Sequence, residues 1–337
     1  MTVMGVSQGR PLVSVVVEGY NQAQEQGIVD NTLHALRHQD FPLDQVEVIL
    51  VGSAYQLLEW QSLCYNPAPF QAIKLVDGGD AIYYELKNKG AAIATGDIIA
   101  FTDSDVCPQR RWLSSIVTTI RQGADASVGF SLFKRAKGWA AGSIVRQIAA
   151  CITFAYVLGK IRHWRSGQLP DVEVRSIVGH NVALRRELFQ RCQYRIDQGR
   201  LLASPLLFSS VAQVGAIVAL HPQQQVVHYF TWTYWVRLHF RFGYEIYQLR
   251  RLDPVYPNQW IARMGILEPL VTLGWHMVLD IPRWLRFSCL LSMNPLQRWG
   301  LLPVVMGLSL VAHSAEMVGM YWTMVAPAAM KQWAEYA

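Results

Sequence analysis

The chain is poor in charge, in paired cysteines and in simple sequence. Only 16% of its 337 residues are charged, against about 25% in an average soluble domain. The deficit is uneven: to about residue 230 the composition is that of an ordinary globular protein, and beyond it apolar and aromatic residues dominate. The five cysteines (Cys64, Cys107, Cys151, Cys192, Cys289) are odd in number and form no CxxC or Cys/His pattern. They argue against a disulfide framework and a zinc site, and fit a reducing compartment. Residues 1–10 lack the apolar core of a signal peptide, so the N-terminal domain is expected to face the cytoplasm. There is no dense basic run either. The net charge of +6 is spread among Trp, Tyr and Phe in the second half, which excludes nucleic acid as the expected partner and favours anionic membrane lipids. No internal repeat or low-complexity linker is present.

What is present alternates between strand and helix. Leu12–Val17, Val46–Val51, Ile73–Val76 and Ile98–Thr102 are short apolar runs of the kind buried on both faces of a parallel sheet. Helical spacing follows over 30–38, Ile82–Ala94 and from Pro108 and Trp112 to about Arg121. Ser127–Phe130 and Ala216–Leu220 read as further strands, and Ile144–Ile161 as an apolar helix. Such alternation predicts an α/β fold, a doubly wound and mostly parallel sheet. Ligands in these sheets bind outside the carboxyl ends of the strands, where Glu18–Asn21 and Asp103-Ser104-Asp105 fall.

The second half predicts helices with a membrane character. Aromatic and cationic residues interleave from Tyr229 to Arg251, as they do at a headgroup layer. In Ile266–Leu291 the polar residues Glu268, Thr272, His276, Asp280, Arg283 and Arg286 fall within an arc of about 120° on a helical wheel. An in-plane helix and a span hiding this stripe against a neighbour both satisfy that pattern. Leu301–Val325 would extend about 38 Å as a helix, enough to cross a core of about 30 Å. Its costly residues, His313 and Glu316, share one face with Ser309, and a glutamate at such depth is functional or paired. The expected organisation is therefore an α/β ligand-binding domain over 1–230 and interfacial and transmembrane helices over 231–337.

Two carboxylates two residues apart after a strand can hold one divalent cation with two phosphate oxygens, and oxygen ligands suit Mg²⁺ or Mn²⁺. The surroundings of Asp103 and Asp105 resemble the family 2 glycosyltransferases, which have a GT-A fold. The resemblance runs over roughly residues 11–250. Pro11 to Asn21 is similar to the family's opening strand and Tyr-Asn turn, and Asn88-Lys89-Gly90 with 96–105 resembles the segment leading into its metal-binding Asp-x-Asp. Val178 to Glu187 is similar to the acceptor-side segment, and Pro222 with His228 to the end of the catalytic core.

By that resemblance Asp103 and Asp105 contact metal and diphosphate, Tyr20 and Asn21 line the nucleotide pocket, and Asn88 and Lys89 lie near the nucleotide. Gly179, His180 and Asn181 border the acceptor, and His228 is a further metal ligand. The implied reaction is metal-dependent, inverting transfer of a sugar from a nucleotide-sugar donor to a membrane-proximal acceptor, a lipid-linked saccharide or polysaccharide. Three departures stand out. Glu18 replaces the family's proline, and Gly52-Ser53 replaces an acidic stretch that reads the base. Ala203-Ser204 occupies the place of the Glu-Asp pair whose Asp is the general base. Asp197 and Glu18 are the substitutes on offer. The alternative is a catalytically degenerate relative that binds nucleotide or scaffolds a polysaccharide assembly.

Overall fold

The computed structural model describes residues 12–20, 28–65, 67–163, 171–254, 256–291 and 293–336. In chain order the elements are β1 (Val13–Glu18), α1 (Ile28–Arg37), β2 (Val46–Gly52), α2 (Ala54–Tyr65), β3 (Ala72–Asp77), α3 (Tyr83–Ala92), β4 (Ile98–Asp103), β5 (Val106–Pro108), α4 (Trp112–Arg121), β6 (Ala126–Phe133) and α5 (Ile144–Phe154). There follow β7 (Leu158–His163), β8 (Asp171–Val174), β9 (Val182–Arg185), α6 (Arg186–Arg191), α7 (Ala203–Gln213), β10 (Val218–His228), α8 (Trp232–Leu252), α9 (Glu268–Leu290), α10 (Pro295–Gly300), α11 (Leu302–Val325) and α12 (Pro327–Tyr336). They form two compact units: Met1–Gly129 with Gly179–Tyr194 and Ala216–Gln224, and Phe130–Val178 with Arg195–Gly215 and Gln225–Ala337.

The first unit is built on a sheet of order β3-β2-β1-β4-β9-β6-β10-β5. β1 runs parallel to β2 and β4, and β2 parallel to β3, whereas β9 is antiparallel to β4 and β6. β6 and β10 begin in this unit and carry the chain into the second. β1, β2 and β4 are buried along their whole length, which is why their sequences are near-continuous apolar runs. Each fully buried valine there contributes roughly 1.5–3 kcal/mol. Among the polar exceptions, Ser14 and Glu47 are paired. Glu47 accepts from Ser14 Oγ at 2.5 Å and Thr95 N at 2.6 Å, and meets Lys74 Nζ at 2.5 Å. Gly96 lies so close to β1 that a Cβ would stand 2.7 Å from the Ser14 nitrogen, so no larger residue fits there without a shift of backbone.

Two boundaries differ from the sequence reading. The helix expected over Ile144–Ile161 ends at Phe154, and after one 3₁₀ turn the chain becomes β7. An apolar run rich in β-branched residues suits either state, and Gly159 with the pairing to β8 favours strand. The strand expected to close at Leu220 continues through Pro222 to His228, since proline's fixed φ is compatible with extended backbone.

In the second unit α8, α9 and α11 pack together. α8 and α11 approach at two glycines: a Cβ on Gly319 would lie 2.1 Å from Phe240 O, and one on Gly243 2.2 Å from Glu316 O. Small residues at a crossing let helix backbones touch. The polar stripe of α9 is hidden against its neighbours: Glu268 pairs with Arg250 and Arg251 of α8, and Asp280 with His313 and Ser309 of α11. The exposed large side chains of α9 and α11 are apolar, among them Leu270, Val278, Leu310, Val311 and Val318. Among the described residues, Gln259–Cys289 and Leu302–Val325 are helices long and apolar enough to cross a membrane.

Candidate active site

The carboxyl ends of β1 and β4 place Glu18 and Asp103 side by side as register partners. The turn after β4 is fixed from α1, where Thr32 Oγ1 lies 2.7 Å from Ser104 O and 2.8 Å from Val106 O. Asp103, Ser104 and Asp105 are all buried. Asp103 is held from α3: Lys87 Nζ stands 2.5 Å from its Oδ1, and the Tyr83 hydroxyl donates to its Oδ2. His180 Nδ1 lies 3.9 Å from the same Oδ2. Lys87 is fully buried, so its ammonium is committed to this cluster.

Glu18 and Asp103 thus lie beside one buried ammonium, with Asp105 close enough to Glu18 to repel it. Burial, and then repulsion from Asp103, pushes the Glu18 carboxyl well above its ordinary value of 4.5, with Lys87 offsetting only part and Asp105 adding to the rise. Burial opposes ionisation of Asp103 too, but Lys87 and then His180 outweigh it and hold the group below 3.8. Burial and the neighbouring Asp103 carboxylate push the Tyr83 phenol well up, so it stays a hydrogen donor. Glu18 Oε2 accepts from Tyr20 N at 2.6 Å. Glu18 Oε1, Thr102 Oγ1 and Ser104 Oγ are buried with no hydrogen-bond partner among the described residues. A cluster of desolvated carboxylates with an orphaned oxygen fits a hard divalent cation, whose charge and oxygen preference would relieve both defects.

Several sequence-designated residues do structural work here. Asn88 clamps Tyr194, donating to its carbonyl at 2.8 Å and accepting from its N–H at 3.2 Å. Asn181 accepts from Trp112 Nε1 at 2.9 Å and faces Gln224 O. Lys89 Nζ lies 2.7 Å from Gly78 O and so secures the loop after β3. Gly179 packs on Tyr84, whose hydroxyl would be 2.6 Å from an added Cβ. The Tyr20 ring meets Tyr83 edge-on, while Asn21 lies outside the described residues.

The remaining designated residues belong to the second unit. His228 is buried and stacked on Tyr234, with Nδ1 2.8 Å from Tyr229 O. Asp197 is 56% exposed and pairs with Arg195; hydrogen bonds from Arg195 and Gln198 hold its carboxyl down at about 2. Ala203 and Ser204 open α7, buried, with Ser204 Oγ 3.2 Å from Ile177 O. Sequence reasoning missed Tyr83 and Lys87. They stand at i and i+4 with Gly90 at i+7, one face of α3, and a lysine on such a buried stripe was the available signal.

Residues 14–192 match the model of the family described as Glycosyl transferase family 2. The chain belongs to the family 2 glycosyltransferases. Within the curated proteins, Glycosyltransferase AglE of Haloferax volcanii is 25% identical over 195 residues, 56% of this chain and 55% of AglE. The chain therefore spans about half the length of that curated relative. Among solved structures, the mannosyltransferase PcManGT from Pyrobaculum calidifontis, in complex with GDP-Man and Mn²⁺, superposes with a TM-score of 0.58 at 18% identity, covering 95% of this chain and 88% of that one. The shared fold is GT-A, with a helical C-terminal region in this glycosyltransferase family member.

Proposed function

We propose that this family 2 protein transfers a sugar from a nucleotide-sugar donor to a membrane-proximal acceptor, a lipid-linked saccharide or a growing polysaccharide, with inversion at the anomeric carbon. The observation that carries the reading is the buried Glu18/Asp103/Asp105 cluster at the strand ends, its orphaned oxygen and its single ammonium. Asp103 and Asp105, with Glu18 behind them, would hold Mg²⁺ or Mn²⁺. Such a cation supplies charge neutralisation at the nucleoside diphosphate leaving group. Lys87 and Tyr83 fix the Asp103 carboxylate in one orientation, so no rotamer search precedes donor binding. Tyr20 and Asn21 would border the nucleotide. Asn88 and Asn181 would act by positioning, since their amides are already engaged. His180, close to Asp103, would contact the donor diphosphate edge of the acceptor subsite. His228 enters as a further ligand through the family resemblance alone.

The membrane-proximal acceptor is supported by α9 and α11, whose outward side chains are apolar while their polar residues pair inside. That pattern suits lipid contact. The front of the chain would then face the cytoplasm.

A second reading, a degenerate nucleotide-binding scaffold, is favoured by one observation. By the family resemblance Ser204 would stand where the family has its base, and its hydroxyl is committed to Ile177 O. Asp197, ionised down to about 2, is a weak base. The test is a transfer assay on detergent-purified full chain with a panel of nucleotide sugars, Mn²⁺ and extracted membrane lipids, the product anomer being read by NMR. Inverted product supports the enzyme reading. Retained configuration contradicts inversion, and bound nucleotide without transfer from any donor supports the scaffold.

A further inference from the structure

The second unit gathers three histidines around one carboxylate, His239 and His313 buried and His276 partly so. His239 of α8, His276 of α9 and His313 of α11 place Nδ1 at 2.8, 3.0 and 2.7 Å from the oxygens of Glu316. The ligand atoms of His239, His313 and Glu316 lie within 4.8 Å of one another. The residues come from three helices, so the convergence is tertiary.

The outer ring nitrogens decide what the inner ones can be. Thr153 Oγ1 gives its single proton to Ala149 O at 2.8 Å and accepts from Trp235 Nε1 at 2.8 Å. Its remaining lone pair faces His239 Nε2 at 3.2 Å, so that nitrogen is the donor. His313 Nε2 faces Asp280 Oδ2 at 2.7 Å, and that carboxylate already accepts from Ser309 and Arg283. A carboxylate accepts only, so His313 Nε2 also carries hydrogen. Both rings therefore turn toward Glu316 a nitrogen that holds a bare lone pair in the neutral tautomer. With Glu316 ionised, protons satisfy both contacts only by making two imidazolium rings whose centroids are 6.1 Å apart in a buried place. One divalent cation supplies the same charge and takes both lone pairs.

We propose that His239, His276, His313 and Glu316 form a transition-metal site, of the zinc class, that ties α8, α9 and α11 together. His239, His313 and Glu316 are the close set, two imidazoles and a carboxylate suited to Zn²⁺, and His276 would complete four ligands by closing on the ion. Thr153 and Asp280 are the outer partners that orient metal-binding rings in such sites. A way in exists: His276, His313 and Glu316 line a cavity of about 360 Å³ shared with Glu245, Arg250 and Arg283. Binding releases the inner protons to solvent as the nitrogens take up the ion. This departs from the sequence reading, in which the cysteine pattern argued against a zinc site; the ligands here are histidine and carboxylate.

The site is tested by metal analysis of the full chain in detergent, in an Asp103→Asn/Asp105→Asn background so that the first-unit cation site does not contribute. About one zinc per chain is expected, falling to below about a tenth in His239→Ala/His313→Ala. Cobalt-loaded protein with native histidines should show the visible absorption of a tetrahedral nitrogen–oxygen site, and His276→Gln, at the edge of the cavity, should shift that band and weaken cobalt binding. The cobalt arm decides even if the double alanine variant does not fold. Folded protein that retains no zinc or cobalt after loading in excess, with no visible band, overturns the proposal.

Discussion

The two units bury acids in opposite ways. In the first, Glu18 and Asp103 lie beside one buried ammonium and leave polar oxygens orphaned. In the second, Glu268 has Arg250 and Arg251, Asp280 has Arg283 and His313, and Glu316 has three histidines within hydrogen-bond reach. Unrelieved charge at strand ends is costly and persists where a ligand relieves it. Relieved charge between helices serves packing and specificity first. The comparison separates the proposed donor-site cluster from the residues that hold the helices.

The sharpest way to break the contrast is to remove charge from each side. Asp103→Asn with Asp105→Asn should lower transfer by about 10²–10³-fold or more, because a charge-stabilising cation supplies several kcal/mol and about 1.4 kcal/mol is a decade; the assay is initial rate at fixed Mn²⁺ on a variant verified as folded, since the buried Lys87 ammonium loses its counter-charge. Glu316→Ala should instead cost roughly 3–5 kcal/mol of stability, since it strands buried imidazoles without their counter-charge. Chemical unfolding in detergent measures it.

Smaller effects test the packing behind the contrast. Gly319→Ala pushes a Cβ against Phe240 O and should cost about 1–3 kcal/mol, read in the same unfolding experiment. Glu47 is the control inside the first unit, an acid that is satisfied. Burial opposes its ionisation, but Lys74, Ser14 and Thr95 hold its carboxyl below 4.5. A depressed carboxyl contributes stability that is present above about pH 4.5 and is lost as pH falls through its folded value. Glu47→Gln should therefore cost about 1–2 kcal/mol at pH 7 and progressively less below pH 4.5, seen as converging melting temperatures.

Much of the first unit was legible in the sequence because continuous apolar runs between turn residues have few other uses. Asp103 and Asp105 were legible for the same reason: the strand before them fixes where they sit. Lys87 was hidden by its neighbour Asn88, which resembles the family motif yet clamps Tyr194. The stripes of α9 and α11 were visible one helix at a time, but His239 joins them only through tertiary packing. Helix periodicity carries no record of which stripe meets which.

The most direct test of the donor site is calorimetric titration of the detergent-purified chain with UDP, GDP and dTDP, with Mn²⁺ and with chelator, beside the Asp103→Ala/Asp105→Ala variant. Metal-dependent binding of one nucleotide, lost in the variant, is the predicted result and names the base. Folded protein that binds none of the three with Mn²⁺ present would contradict the account.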